Sequence, residues 1–171
     1  DAFVTSAFDA LPAGMTAYYF RGDTAFYDHN LLRKLDRRGT RFAVSADVSE
    51  GVREACRELP KDAWKPLLDS AGRPTDKEIA EIVYVPEEKA SRPGEPPFRF
   101  IGIRIRLNER QLHLFEKAHD GYLYFAIVTN RRESIDFIVN WQRGRCGSIE
   151  GAIDCLKNDT GAGLMTSQKF G

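Results

Sequence analysis

Long apolar runs are missing from this sequence, and so is a charged-then-apolar leader. Neither a membrane-spanning helix nor a secretory signal is therefore expected. Net charge is missing too: 25 basic residues balance 25 acidic ones, so a nucleic-acid surface has to be sought locally rather than in the overall charge. Cysteine is scarce. Cys56, Cys146 and Cys155 are odd in number and lack C-x-x-C spacing, which argues against a disulfide framework and a zinc finger and suits three structural thiols in a cytoplasmic protein. His29, His113 and His119 have no metal-ligand spacing. No P-loop, dinucleotide fingerprint or G-x-S-x-G elbow occurs, and no internal repeat.

What remains is the composition of a globular domain. With 42% hydrophobic and 29% charged residues, the chain can bury a core and is not expected to be disordered. Its 171 residues allow one domain, or one core with a sizeable insertion. The opening segment, residues 1–11, places Phe3, Ala7, Phe8 and Leu11 at helical spacing. A chain that begins inside a helix without Met suggests part of a longer protein.

Residues 15–20 read as a strand, stopped by Gly22, with Asp23 just beyond. Asp28 is placed to cap a helix with the stripe Leu31, Leu32, Leu35, and Gly39 to end it. Residues 41–46 form the next strand. Strand, acidic loop, helix and strand make one βαβ step, so the two strands are expected to pair in parallel in an α/β fold. Ser49 caps another helix through Val52, Cys56 and Leu59, and Pro60 punctuates it. Trp64 and Leu67 look like packing anchors, and residues 69–76 like a loop.

The middle of the chain changes character. Residues 79–85 are expected as a strand, 87–97 as a charged Pro-rich loop, 112–118 as helical and 122–128 as a strand. Residues 98–107 alternate, with Ile101, Ile103, Ile105 and Leu107 on one face and Arg104 and Arg106 on the other. This block reads as a small antiparallel sheet. Helices follow at 134–141 and 150–158, separated by Gly144 and Gly147.

Asp23 sits past the carboxyl end of a strand in an α/β unit, where ligands and metals gather. It could equally be a turn-forming or capping Asp. Glu150 opens a helix, with Asp154 and Lys157 on nearly the same face. Such a face can hold a metal at one end and a phosphate at the other, or be a solvated stripe. Arg131, Arg132, Arg143 and Arg145 form the densest basic stretch of the last third, and the Arg104/Arg106 face is a second candidate. Each reads as a phosphate contact or as ordinary surface.

The block Phe20-Arg21-Gly22-Asp23-Thr24-Ala25-Phe26-Tyr27, with Leu31-Leu32 and Arg41-Phe42-Ala43 after it, resembles the group-one DDE transposases of bacterial insertion sequences. So does the later block Arg145-Cys146-Gly147-Ser148-Ile149-Glu150, followed by Leu156-Lys157-Asn158-Asp159. The resemblance spans the chain in order. It implies a partial RNase H-like (retroviral-integrase-like) core at 1–48 and 131–171, interrupted by a mainly β insertion at 49–130. It makes Asp23 and Glu150 the second and third catalytic carboxylates and metal ligands, with the first Asp outside this chain. Lys157, Arg145, Arg143, Arg104 and Arg106 become DNA contacts.

The implied cofactor is Mg²⁺, as two cations about 4 Å apart. The implied reaction is phosphodiester hydrolysis and strand transfer at transposon ends by the intact parent. The fragment alone is expected to be inactive. DNA is the implied partner, a homodimer of the intact protein is compatible, and no membrane is involved. Three positions depart from the pattern: Thr24 replaces the usual Ser, Cys146 stands where related enzymes carry Arg, and Arg143 where they carry Tyr, with Trp141 the nearest aromatic. The alternative from another class is a non-catalytic α/β module for nucleic-acid or protein interaction, derived from an RNase H-like fold. A different RNase H-like nuclease is a third reading.

Overall fold

The computed structural model describes residues 2–12, 14–15, 17–86, 96–108 and 120–144. The structure is mixed α/β. The helices α1 (Ala2–Asp9), α2 (His29–Arg37), α3 (Glu50–Arg57) and α4 (Ile135–Arg143) pack on one six-stranded sheet. Its strands are β1 (Tyr19–Gly22), β2 (Arg41–Ala46), β3 (Lys65–Leu68), β4 (Pro74–Ile82), β5 (Arg99–Arg106) and β6 (Tyr122–Thr129), in the order β1-β2-β6-β5-β4-β3. The β1–β2 pair is parallel, as the βαβ pattern predicts, and every other pair is antiparallel.

Helix starts follow their caps. The side chains of Asp28, Ser49 and Ser134 accept from the backbone N–H of Leu31, Val52 and Phe137, satisfying donors that a helix leaves open. Gly39 closes α2 at φ +74°, a left-handed conformation that side chains resist.

Side-chain alternation along the strands builds two cores, one on each face. On the first, Phe42 and Val44 of β2, Phe100 of β5 and Tyr124, Ala126 and Val128 of β6 pack with Trp64, with Val4 of α1, with Leu31, Leu32 and Leu35 of α2, and with Val52 and Cys56 of α3. On the second, Ala43, Leu67, Ile79, Ile101, Ile103 and Ile127 meet Ile138 and Val139 of α4. The segment 49–130, expected as a mainly β insertion, supplies four of the six strands. They extend the sheet that β1 and β2 begin: β6 pairs directly with β2, Val44 opposite Val128.

Some local readings differ from the structure. The strand expected at 15–20 runs from Tyr19 to Gly22 instead, because its partner β2 begins only at Arg41, opposite Tyr19. Residues 69–76 are not all loop. The turn is tighter, with Asp69 accepting from the N–H of both Ala71 and Arg73, so β4 starts at Pro74 and β3 at Lys65 pairs back onto it. In α1 the buried stripe is Val4 with Phe8, not Phe3 and Ala7; Phe3 is 75% exposed. The helices expected at 112–118 and 150–158 lie outside the described residues.

Candidate metal and nucleic-acid site

Asp23 stands one residue beyond β1. Its side chain accepts from the N–H of Ala25 at 3.1 Å and caps a 3-10 turn over Thr24–Phe26. The turn folds tightly onto the strand end. A Cβ on Gly22 would come within 3.0 Å of the Phe26 Cβ and 3.2 Å of the Phe20 ring, and the two rings meet edge-on at 5.5 Å. Glycine before Asp23 is thus favoured by close approach rather than by a left-handed backbone, since any side chain there would push on the two rings. The Asp47 carboxylate lies one residue past β2, the parallel neighbour, so two acidic side chains stand at the same end of this pair. Asp47 and Tyr84 add to the main effect, burial, in pushing the Tyr27 phenol up to about 12.

A buried amide locks this end together. Gln142 Nε2 in α4 donates to the Gly22 carbonyl at 3.0 Å and lies 2.9 Å from the Ser45 Oγ of β2. A single side chain thereby ties the end of β1, the adjacent strand and the helix on the second face. Sequence reasoning did not single out Gln142. The available signal was a polar residue one turn beyond Ile138 and Val139 in an amphipathic helix, where burial obliges it to find partners. Thr24, Ser45, Asp47, Gln142 and Arg143 rim a cleft of about 180 Å³ with an apolar floor that includes Ile103 and Phe125. Arg143 is half-buried. Desolvation lowers its pKa, and the field of Asp76 partly offsets this.

The other basic candidates are placed differently. Arg104 lies between the rings of Trp64 and Tyr122, 4.4 Å from each centroid, and its Nε donates to Glu78 at 2.8 Å. Its side chain is only 11% exposed, so its charge is engaged inside the fold. Arg106 is exposed at the end of β5. The face that carries both is not a solvent face along its length, because Phe100 and Gly102 on the same side are buried under Cys56 and Trp64. Arg131 is buried among Tyr19, Phe137 and Trp141 and pairs with Glu133, holding that carboxyl down near 2. Arg21 donates to the Trp141 carbonyl at 2.7 Å. Trp141 therefore organises arginines instead of standing apart.

Glu150, Arg145 and Lys157 lie outside the described residues, and so does the expected approach of Glu150 to Asp23. Cys146 and Cys155 lie outside them as well. Cys56 is a free thiol buried in the first core, pushed up to about 11 by that burial. Among the described residues no group of three or more His, Cys, Asp or Glu side chains could hold a metal. Asp23 and Asp47 supply oxygen donors only, a chemistry that suits a hard cation such as Mg²⁺. No helix among the described residues is long and apolar enough to cross a membrane. No family model and no curated protein matches the chain.

Proposed function

We propose that this chain carries part of the catalytic domain of a DDE transposase, and that its parent performs Mg²⁺-dependent phosphodiester hydrolysis and strand transfer on DNA. One observation carries the reading. Asp23, in the block that resembles the family, stands just past the carboxyl end of β1, and Asp47 stands just past the same end of its parallel neighbour β2. Strand ends of this kind open the crevice where α/β folds bind their ligands.

Asp23 and Glu150 would hold the cation. Bound Mg²⁺ supplies positive charge against the phosphodiester oxygens. The work of this chain's own residues is positional. Gly22 lets the Phe26 turn close, Gln142 pins the Gly22 carbonyl, and the Asp23 carboxylate is presented from a braced turn. Arg143 at the cleft rim offers a partly desolvated guanidinium to a phosphate, which strengthens a charge-assisted contact. Arg145 and Lys157 keep their proposed phosphate roles, and Arg106, exposed at its strand end, remains a candidate. Arg104 is the weakest member of that set because Glu78 already holds it.

A second reading, the non-catalytic interaction module, draws on one specific observation: Asp23 caps a turn, a task that Asn performs equally well. The substitution Asp23→Asn separates the two. It preserves the cap and removes the anion a hard cation needs. In the intact parent, Mg²⁺-dependent cleavage of a transposon-end duplex is expected to fall to background with Asp23→Asn and with Glu150→Gln, at unchanged melting temperature. Full cleavage by both variants would leave Asp23 only its capping role and favour the module.

A further inference from the structure

The opposite pole of the β1–β2 pair carries a charge pattern that the carboxylate site does not use. Arg41, the first residue of β2, and Arg132, just past β6, both line a shallow cleft of about 480 Å³ with Asp36, Gly39 and Asn130. Both are exposed, and their side chains make no hydrogen bond or ion pair to other described residues. The last turn of α2 adds Lys34 and Arg37, and Arg38 caps it, with Arg38 held to Asp9 at 2.9 Å. The negative carbonyl end of α2 accounts for the cations on that helix. It does not account for Arg41, at the start of β2, or Arg132, in the segment after β6, which raise the local repulsion.

The platform beneath them is rigid. Asn130 Oδ1 accepts from the Phe42 N–H at 2.8 Å, while its Nδ2 donates to the Thr40 carbonyl at 2.9 Å and to Asp36 at 2.8 Å. One side chain therefore clips the α2–β2 turn to the end of β6 and fixes the backbone that bears both arginines. It also occupies Asp36, the only carboxylate among the described residues that line the cleft.

We propose that this pole is a contact surface for the phosphate backbone of duplex DNA. Two planar guanidinium groups suit phosphate oxygens, and the backbone that carries them is already held, so binding has only the side chains left to order. The cleft is open and shallow, so a single small anion would leave most of it to water, whereas a duplex backbone offers successive phosphates. The choice of DNA among polyanions rests on the proposed function; the anion surface itself rests on charge and geometry alone.

The test is anisotropy titration of a fluorescein-labelled short duplex of arbitrary sequence with the full chain, without divalent metal, across a range of NaCl. The double variant Arg41→Gln/Arg132→Gln is expected to weaken binding about tenfold at low salt and to reduce the log–log salt slope by about 1.8, near 0.9 for each phosphate that is no longer neutralised. Each single variant should give about half of that reduction. Both residues are exposed, so melting temperatures should hold. Arg73→Gln, at the far edge of the sheet, should change neither quantity. The proposal is overturned if the double variant matches the wild type, if Arg73→Gln weakens binding as much, or if the wild type fails to bind the duplex. Binding to phosphatidylserine vesicles in place of duplex would overturn the choice of DNA. Because no metal enters the titration, it is independent of the cleavage assay, and either result can fail while the other stands.

Discussion

The two faces of the sheet are built from different materials. The first face is aromatic: Phe42, Phe98, Phe100, Trp64 and Tyr124 fill it, and three helices cover it. The second is almost wholly aliphatic and lies under α4. The first face also contains an arginine stacked on rings, a free thiol and a glycine. Arg104, Cys56 and Gly102 all meet around Trp64. The aliphatic face has its own stacked arginine, Arg131, but carries it at the edge, over Tyr19, Phe137 and Trp141. It places its polar residues at the margin instead, where Gln142 and Arg131 tie α4 to β1 and β2. The candidate carboxylates are braced from the aliphatic side, by α4, while the fold's bulk lies on the aromatic side.

The sharpest way to break this contrast is Phe100→Ala. Phe100 is 1% exposed, and truncation should destabilise by about 3–5 kcal/mol, read as a lower urea midpoint. Next comes Gly102→Ala. An added Cβ would lie 3.0 Å from Ile82, 3.1 Å from the Cys56 sulfur and 3.2 Å from Trp64, and overpacking of this kind costs about 1–3 kcal/mol. Combining it with Cys56→Ala should recover part of the loss, and failure to recover any would show that the sulfur is not the obstacle. On the other face of the same strand, Ile101→Val should cost only about 0.5–1.5 kcal/mol, since α4 can settle onto the smaller side chain.

The smallest effect expected is electrostatic. Glu133 is held near 2 by the Arg131 guanidinium, below its ordinary value of 4.5. A depressed carboxyl stabilises the fold above its unfolded pKa, and that contribution disappears as pH falls from about 4.5 towards 2. Glu133 is 44% exposed, so solvent screening limits the effect to roughly 0.5 kcal/mol. An acid titration of Glu133→Gln should show a shallower decline over that window than the wild type does.

The contrast between faces also shows how far local pattern reaches. Strict alternation in residues 98–107 announces a strand, and β5 is one. The same alternation suggests that the arginine side faces solvent, which is true of Arg106 and not of Phe100 or Gly102. Periodicity reports which residues share a side. It does not report whether a helix distant in sequence covers that side. Arg131 and Arg132 make the same point at shorter range: adjacent cations in one basic stretch, one buried among three rings and one exposed at the opposite pole from Asp23.

Helix α2 with its Asp28 cap and Gly39 stop, the strand at 41–46, the capped start at Ser49, a helix from about residue 134, and the parallel pairing of β1 with β2 were all readable along the chain, because each rests on neighbours within a turn or on one short crossover. Asp23 was singled out the same way, from a strand, a glycine and an acid in succession. The union of residues 49–130 with β1 and β2 in one sheet was not readable, and neither were the bond from Gln142 to Gly22 or the Asn130 clip that sets Arg41 beside Arg132. These join residues some 90 to 120 positions apart, where partners are chosen by which buried polar group is left to satisfy and which apolar face is left to cover, and a local pattern holds no record of either.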